Sequence, residues 1–160
     1  MNVLVKSSNG ITQVSVDSRL LSQRKVFIEG EINAETACEF IKKIMILNAE
    51  DSNRPIDLFI NSPGDCINSG MLIYDVIQAS KAPVRTFCIG KAYSMGAVLL
   101  ACGNHGRYIL PHGEVMIHEP LLGNRVGGNS SYDHYFDAEE SLKFGLVDEI
   151  VDFGMFMEEC

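Results

Sequence analysis

The sequence predicts an α/β fold of stacked βα units around a mainly parallel sheet. Short apolar runs rich in branched and aromatic residues alternate with amphipathic helical stretches, from Lys25 towards the C-terminus. Glycine and Pro–Gly turns punctuate the ends of these segments. The composition is that of an ordinary globular domain: 46% of the 160 residues are hydrophobic and 21% charged, enough for one real core.

Residues 1–24 are polar and alternate only weakly. They read as a flexible N-terminal segment, 1–15, followed by a short helical turn near "DSRLLSQ" at the start of a single domain, 16–160. "KVFIEG" (25–30) reads as a strand closed by glycine. In "EINAETACEFIKKIMILNAED", Ala37, Phe40, Ile41, Ile44 and Leu47 recur every three or four residues, which predicts a helix. "RPIDLFINSPGD" predicts a strand running into a turn. "INSGMLIYDVIQAS" (67–80) predicts a helix with Met71, Ile73, Tyr74 and Ile77 on its apolar side. "APVRTFCIG" is a strand, and "KAYSMGAVLLACG" behind it a helix that is apolar almost all round. "RYILPHGEVMIHEP" supplies two short strands joined by Pro111–Gly113, and "LLGNRVGGNSS" a glycine-rich loop. "DAEESLKFG" predicts a helix begun by Asp137 and stopped by Gly145. "LVDEIVDF" is a last strand.

Several function classes are disfavoured. A formal charge of -8 argues against nucleic-acid binding, because phosphate contacts need clustered lysine and arginine. No apolar window is long enough for a transmembrane helix, and "MNVLVKSSNG" has no signal-peptide pattern, so a cytoplasmic location without membrane attachment is expected. The five cysteines (Cys38, Cys66, Cys88, Cys102, Cys160) are odd in number and show no CxxC spacing. They read as reduced, mostly buried small hydrophobes, Cys66 lying in a turn; no metal-ligand cluster is evident.

In parallel βα folds, sites form where strand carboxyl ends meet helix amino ends. "NSPGD" (61–65) and "GKAYSMG" (90–96) are two such junctions. If their strands are neighbours, both open on one crevice, and Ser94 stands at a helix N-terminus whose free N–H groups can stabilise a developing oxyanion. The GxSxG pattern is missing, since position 92 is Ala. His118, ending the apolar strand "EVMI", is the best general base; His105, His112 and His134 lie in polar or turn contexts. Asp133, Asp137 and Glu119 are the options for orienting it. Each residue also has a plainer reading: Ser94 as a helix cap, His118 as a strand-end histidine, Asp133 as a solvated loop residue and "NSPG" as a turn. Met71, Met95 and Met116 read as core filler, and Glu139–Glu140 as a solvated face.

The ordered combination of "INSPG", "GMLIYDVIQ", "CIGKAYSMGAVLLACG", "LPHGEVMIHEPL" and "FDAEESLKFGLVDEIV" resembles the ClpP family, the proteolytic subunits of ATP-dependent Clp proteases. The resemblance runs from about Val14 to Val151 and implies a crotonase-like fold and a Ser-His-Asp peptidase. It puts the nucleophile at Ser94, the base at His118 and the acid at Asp133. It puts the oxyanion donors on the backbone N–H groups of Met95 and Asp65, and substrate contacts at Gly64, Leu121 and Gly123. It further implies axial loops from residues 1 to about 15, and heptameric rings stacked in pairs as a tetradecamer around a chamber. Partner AAA+ ATPases feed that chamber; they, not this chain, use ATP, so no cofactor is expected here.

Three departures stand out. The family usually reads NSPGG, and the second glycine is here Asp65, which restricts the backbone and brings a carboxylate near the oxyanion site. Asp57 stands where the family commonly carries an aromatic residue in the pocket that receives the ATPase loop, and a charge there weakens docking. The family also places a long handle helix between base and acid, roughly 30 residues or about 45 Å of helix. The interval from His118 to Asp133 cannot hold it. Either the protein lacks the handle, giving single heptamers and a loosely held Asp133, or the sequence as written omits it. The close match of everything from Asp133 onward favours omission, with stacked rings. A weakened ClpP paralogue serving as a ring partner for an active one is the first alternative. An enoyl-CoA hydratase-like enzyme on the crotonase fold is the second, and Ser94 and His118 in their motifs oppose it.

Overall fold

The computed structural model describes residues 1–118 and 133–157. The N-terminal stretch opens with an antiparallel hairpin of β1 (Asn2–Ser7) and β2 (Gly10–Ser15), a two-stranded sheet of its own. Helix α1 (Val16–Ser22) follows, capped by the Ser15 hydroxyl, which accepts from the Ser18 N–H. Then β3 (Lys25–Ile32), α2 (Ala34–Glu50), β4 (Ile56–Asp65), α3 (Ile67–Ala79), β5 (Val84–Tyr93) and α4 (Met95–Ala101) alternate. The chain closes with β6 (Arg107–Ile109), β7 (Glu114–Ile117), β8 (His134–Phe136), α5 (Ala138–Phe144), β9 (Glu149–Ile150) and a 3-10 turn, Phe153–Phe156. The main sheet runs β3-β4-β5-β6-β9, all parallel, and β7 joins β5 in parallel beyond the end of β6. Strand β8 alone is antiparallel, paired with β7. This is the predicted α/β architecture, and it agrees with a crotonase-like fold.

Alternation decides which residues face the helices. Val26 and Ile28 of β3, Leu58 and Ile60 of β4, and Val84 and Cys88 of β5 are buried with Phe40, Ile44 and Leu47 of α2, Ile73 and Ile77 of α3, and Leu99 and Leu100 of α4. The opposite face carries a row of rings in register: Phe27, Phe59, Phe87 and Tyr108 on four successive strands. Neighbouring centroids lie 4.9, 5.1 and 4.8 Å apart. Phe156, from the 3-10 turn, stands edge-on to Phe59 and Phe87.

The structure differs from the expectation at several points. The polar N-terminus has regular hairpin structure, because paired backbone groups need no apolar pattern. Strand β3 continues past Gly30, which sits at φ 68 beside a register shift. Strand β4 likewise runs on through Ser62–Asp65 instead of turning there. Met71 points outward and is 41% exposed, whereas Met95 is buried. Cys38, expected among buried cysteines, is exposed, as is Cys66, whose thiol is lowered chiefly by the Ser69 side chain. Cys88 is buried, and burial pushes its thiol up to about 11. Cys160 lies outside the described residues. Strand β8 had no sequence expectation, and β9 is only two residues long. Asp57 is 6% exposed, and both its carboxylate oxygens accept from Arg85, at 2.6 and 2.9 Å, so its charge is paired within the sheet. Residues 119–132, between base and acid, lie outside the described residues, and as written they are too few for the expected long helix.

Asp137 begins α5 as expected. Its carboxylate accepts from the Glu140 N–H at 2.8 Å, while the Glu140 carboxylate accepts from the Asp137 N–H at 3.0 Å. Gly145 ends the helix at φ 89. Asp137→Ala is expected to lower stability by about 1 kcal/mol, read as a reduced urea midpoint at unchanged slope.

Candidate active site

The junction between β5 and α4 is a strand-to-helix turn made at one residue. Ser94 has φ 53 and ψ −116, a backbone region that L-residues seldom occupy. It is the first residue of the turn into α4, and its carbonyl accepts from the Ala97 and Val98 N–H groups. Its side chain makes no capping hydrogen bond, so the helix-cap reading of Ser94 holds for its backbone only. The strained turn frees Oγ from the helix and aims it elsewhere, as a nucleophile elbow does without the GxSxG sequence.

Three glycines make that turn possible. A Cβ on Gly64 would lie 2.6 Å from the Tyr93 carbonyl oxygen and 3.0 Å from the Met95 nitrogen. A Cβ on Gly96 would approach the Ser62 carbonyl oxygen at 3.1 Å, and one on Gly70 would collide with the Met95 side chain. The "NSPGD" and "GKAYSMG" junctions are therefore in direct contact, as the neighbouring of β4 and β5 requires. Asn61 spans the register shift between those strands, its Oδ1 accepting from the Lys91 N–H at 3.2 Å. The buried Ser62 hydroxyl donates to the Gly30 carbonyl at 2.6 Å and accepts from the Gly64 N–H at 3.0 Å. The Cys66 N–H donates to the Ile32 carbonyl at 3.0 Å. Between these anchors, Gly64 and Asp65 take φ 87 and φ 120.

His118 follows β7, which pairs with β5 so that Tyr93 lies opposite Met116. The Ser94 N–H donates to the Met116 carbonyl at 2.8 Å, which ties the turn to the strand carrying the histidine. His118 Nε2 and Ser94 Oγ are 2.8 Å apart. With the imidazole proton on Nδ1, Nε2 accepts the Oγ proton. Asp133 arrives through the antiparallel pairing of β7 and β8. Ile117 lies opposite His134, so the next step of that register sets His118 beside Asp133. Their Nδ1 and Oδ1 atoms are 4.0 Å apart, longer than a hydrogen bond, with side chains 27% and 30% exposed. Of the other acid options, Asp137 is engaged at α5 and Glu119 lies outside the described residues. His105, His112 and His134 are exposed. Leu121 and Gly123 also lie outside the described residues. No group of three potential metal-ligating side chains occurs among the described residues, and no described helix is long and apolar enough to cross a membrane.

A family model for Clp protease matches residues 8–131. The chain belongs to the Clp protease family. That family is one of serine peptidases, whose members typically form oligomers working with AAA+ ATPases. The matched span of this Clp protease chain includes both junctions and His118 but stops before Asp133, so the acid stands on strand register and distance.

Sequence reasoning missed three contributors in this Clp protease chain. Asn61 bridges the register shift to β5 and Ser62 ties the end of β4 to β3; adjacent polar residues after the apolar run "LFI" were the available signal. Tyr93 was read only as part of a motif, yet its hydroxyl donates to the Glu114 carboxylate. That bond, more than burial, pushes the phenol up to about 12. Gly64→Ala is expected to disturb this site more than any exposed substitution. The left-handed backbone alone costs about 1–2 kcal/mol for an alanine. The added carbon also forces the Tyr93–Met95 turn away from His118. Thermal unfolding should show the loss, and labelling of Ser94 by a fluorophosphonate should slow sharply.

Proposed function

We propose that the chain is the proteolytic subunit of an ATP-dependent Clp protease, a serine endopeptidase acting on unfolded protein inside an oligomeric chamber. The observation that carries this reading is the 2.8 Å approach of His118 Nε2 to Ser94 Oγ at a strained strand-to-helix turn. In this mechanism Ser94 Oγ attacks the scissile carbonyl carbon while His118 takes its proton. Asp133 orients the imidazole and stabilises its charged form. The carbonyl oxygen, becoming an oxyanion, receives hydrogen bonds from the backbone N–H groups of Met95 and Asp65. His118 then gives its proton to the leaving amine, and water repeats the sequence to release the acyl group. Gly64, Leu121 and Gly123 flank the extended substrate. A heptameric ring fed by a cytoplasmic AAA+ ATPase is the assembly. Paired rings would form a tetradecamer, whereas true loss of the handle would leave single heptamers, and native mass spectrometry separates the two.

A second reading is a weakened ring partner for an active paralogue. Two features favour it: an aspartate at position 65, held at φ 120 where the family usually has glycine, and the open 4.0 Å distance from His118 to Asp133. One set of measurements separates the two. Ser94→Ala should abolish peptide cleavage and fluorophosphonate labelling while leaving the fold intact. Residual turnover within about tenfold of the parent protein would sink the peptidase reading, since triad members act as a unit. A parent protein that never labels supports the ring-partner reading.

Asp65→Gly should raise kcat, by about tenfold or more, because it removes a charge that repels the oxyanion and relaxes φ 120. An unchanged or lower kcat would mean that the carboxylate points away from the reacting carbonyl.

A further inference from the structure

Tyr93, Glu114 and Tyr135 bridge the three strands that carry Ser94, His118 and Asp133. We propose that Tyr93 is a positioning residue that sets the distance between Asp133 and His118. Its consequence for catalysis rests on the peptidase reading above.

The register brings the three strands together in one place. Tyr93 lies opposite Met116, and Met116 lies opposite Tyr135. Alternation sorts the side chains by face. Ala92, Val115 and Phe136 are buried in the core, so Tyr93, Glu114, Met116 and Tyr135 share the other face. Asp133 and His118 continue the same alternation at the ends of β8 and β7. The clamp and the imidazole–carboxylate pair thus share one face of a three-stranded unit.

Two contacts make the clamp. The Tyr93 hydroxyl donates to Glu114 Oε1, which fixes the ring against β7. The raised phenol keeps that proton across the working pH range. The Tyr135 ring meets the Tyr93 ring edge-on, with centroids 5.7 Å apart and planes at 89°. The Lys91 ammonium lies 5.8 Å over the Tyr93 ring. Strand β8 has only three residues, and Tyr135 is 50% exposed. Phe136 anchors β8 to the core and also meets the exposed Phe144 ring. On the catalytic face, the Tyr93 ring is what Tyr135 rests against. Asp133 is two residues from that contact. A shift of β8 by about 1 Å decides whether the 4.0 Å gap closes to a hydrogen bond or opens further.

The test uses the intact protein in two measurements. Tyr93→Ala should lower kcat about 100-fold with KM nearly unchanged, the usual scale for a misplaced catalytic group. Tyr93→Phe retains the edge contact and should recover most of that loss. In a double-mutant cycle, Tyr93→Ala should add little to Asp133→Asn, because both act through the same contact with His118. Additive losses would overturn the proposal, since a general structural defect adds. Hydrogen exchange of the amides at 133–136 should quicken in Tyr93→Ala and not in Tyr93→Phe. Unchanged exchange in Tyr93→Ala would also overturn it, and that readout needs no catalytic turnover. Failure of the parent protein to label at Ser94 would count against the peptidase reading, and exchange alone would then decide the clamp.

Discussion

The backbone at Ser94 is the constraint on which the site depends. A non-glycine residue at φ 53 carries strain of order 1–3 kcal/mol and persists only where its surroundings over-determine it. Here they do so from every side. The residue's N–H is held by the Met116 carbonyl, and its carbonyl by the first turn of α4. Met95 next to it is buried against the bare backbone of Gly70, and Gly64 lies where any side chain would strike Tyr93 and Met95. The helix that looked merely apolar has a mechanical use. Leu99 and Leu100 are fully buried, so α4 cannot roll to relieve the turn. The strain is held by the core and expressed at Oγ.

The same logic explains how an aspartate occupies position 65. Gly64 at φ 87 needs its glycine for space as well as angle, whereas Asp65 at φ 120 meets only the angular penalty. Ile32 pairs with Asp65 in the ladder, and the Cys66 N–H bonds to the Ile32 carbonyl, so pairing with β3 supports that backbone. Losing the second glycine of the motif therefore leaves the path of the chain in place and changes its electrostatics. In the proposed mechanism a carboxylate at position 65 would oppose the developing negative charge.

Much of this was readable in the sequence, and what was not has a common cause. Helix α2 declared itself through Phe40, Ile44 and Leu47, and α5 through Asp137 and Gly145, because periodicity and capping are local. Ser94 and His118 came from strand ends in specific motifs. The hairpin of residues 2–15 was missed because its pairing leaves most side chains exposed, so no apolar alternation marks it. Strand β8 was missed because three residues carry too little pattern, and its existence depends on β7. The bulge at Asn61 and the Tyr93–Glu114 bond are tertiary facts: each joins residues on different strands, and neither residue type signals its partner. Likewise nothing in the sequence marks Arg85, one strand away, as the ion-pair partner of Asp57.

The short interval between base and acid bears on how the acid is held. The sequence argued that losing a long helix would make a family-like Asp133 hard to maintain. The antiparallel ladder gives the physical reason that it need not. Ile117 opposite His134 fixes Asp133 beside His118 through strand register, whatever the connection between them contains. A one-residue slip would turn every β8 side chain to the wrong face and pull Phe136 from the core, so burial of Phe136 locks that register. Shortening a connection also changes closure entropy only slowly. A ladder of three residues fixes register but adds few contacts, and Asp133 stands 4.0 Å from His118. Register keeps the acid in the right place along the strand, and side-chain packing on the catalytic face must provide the last ångström.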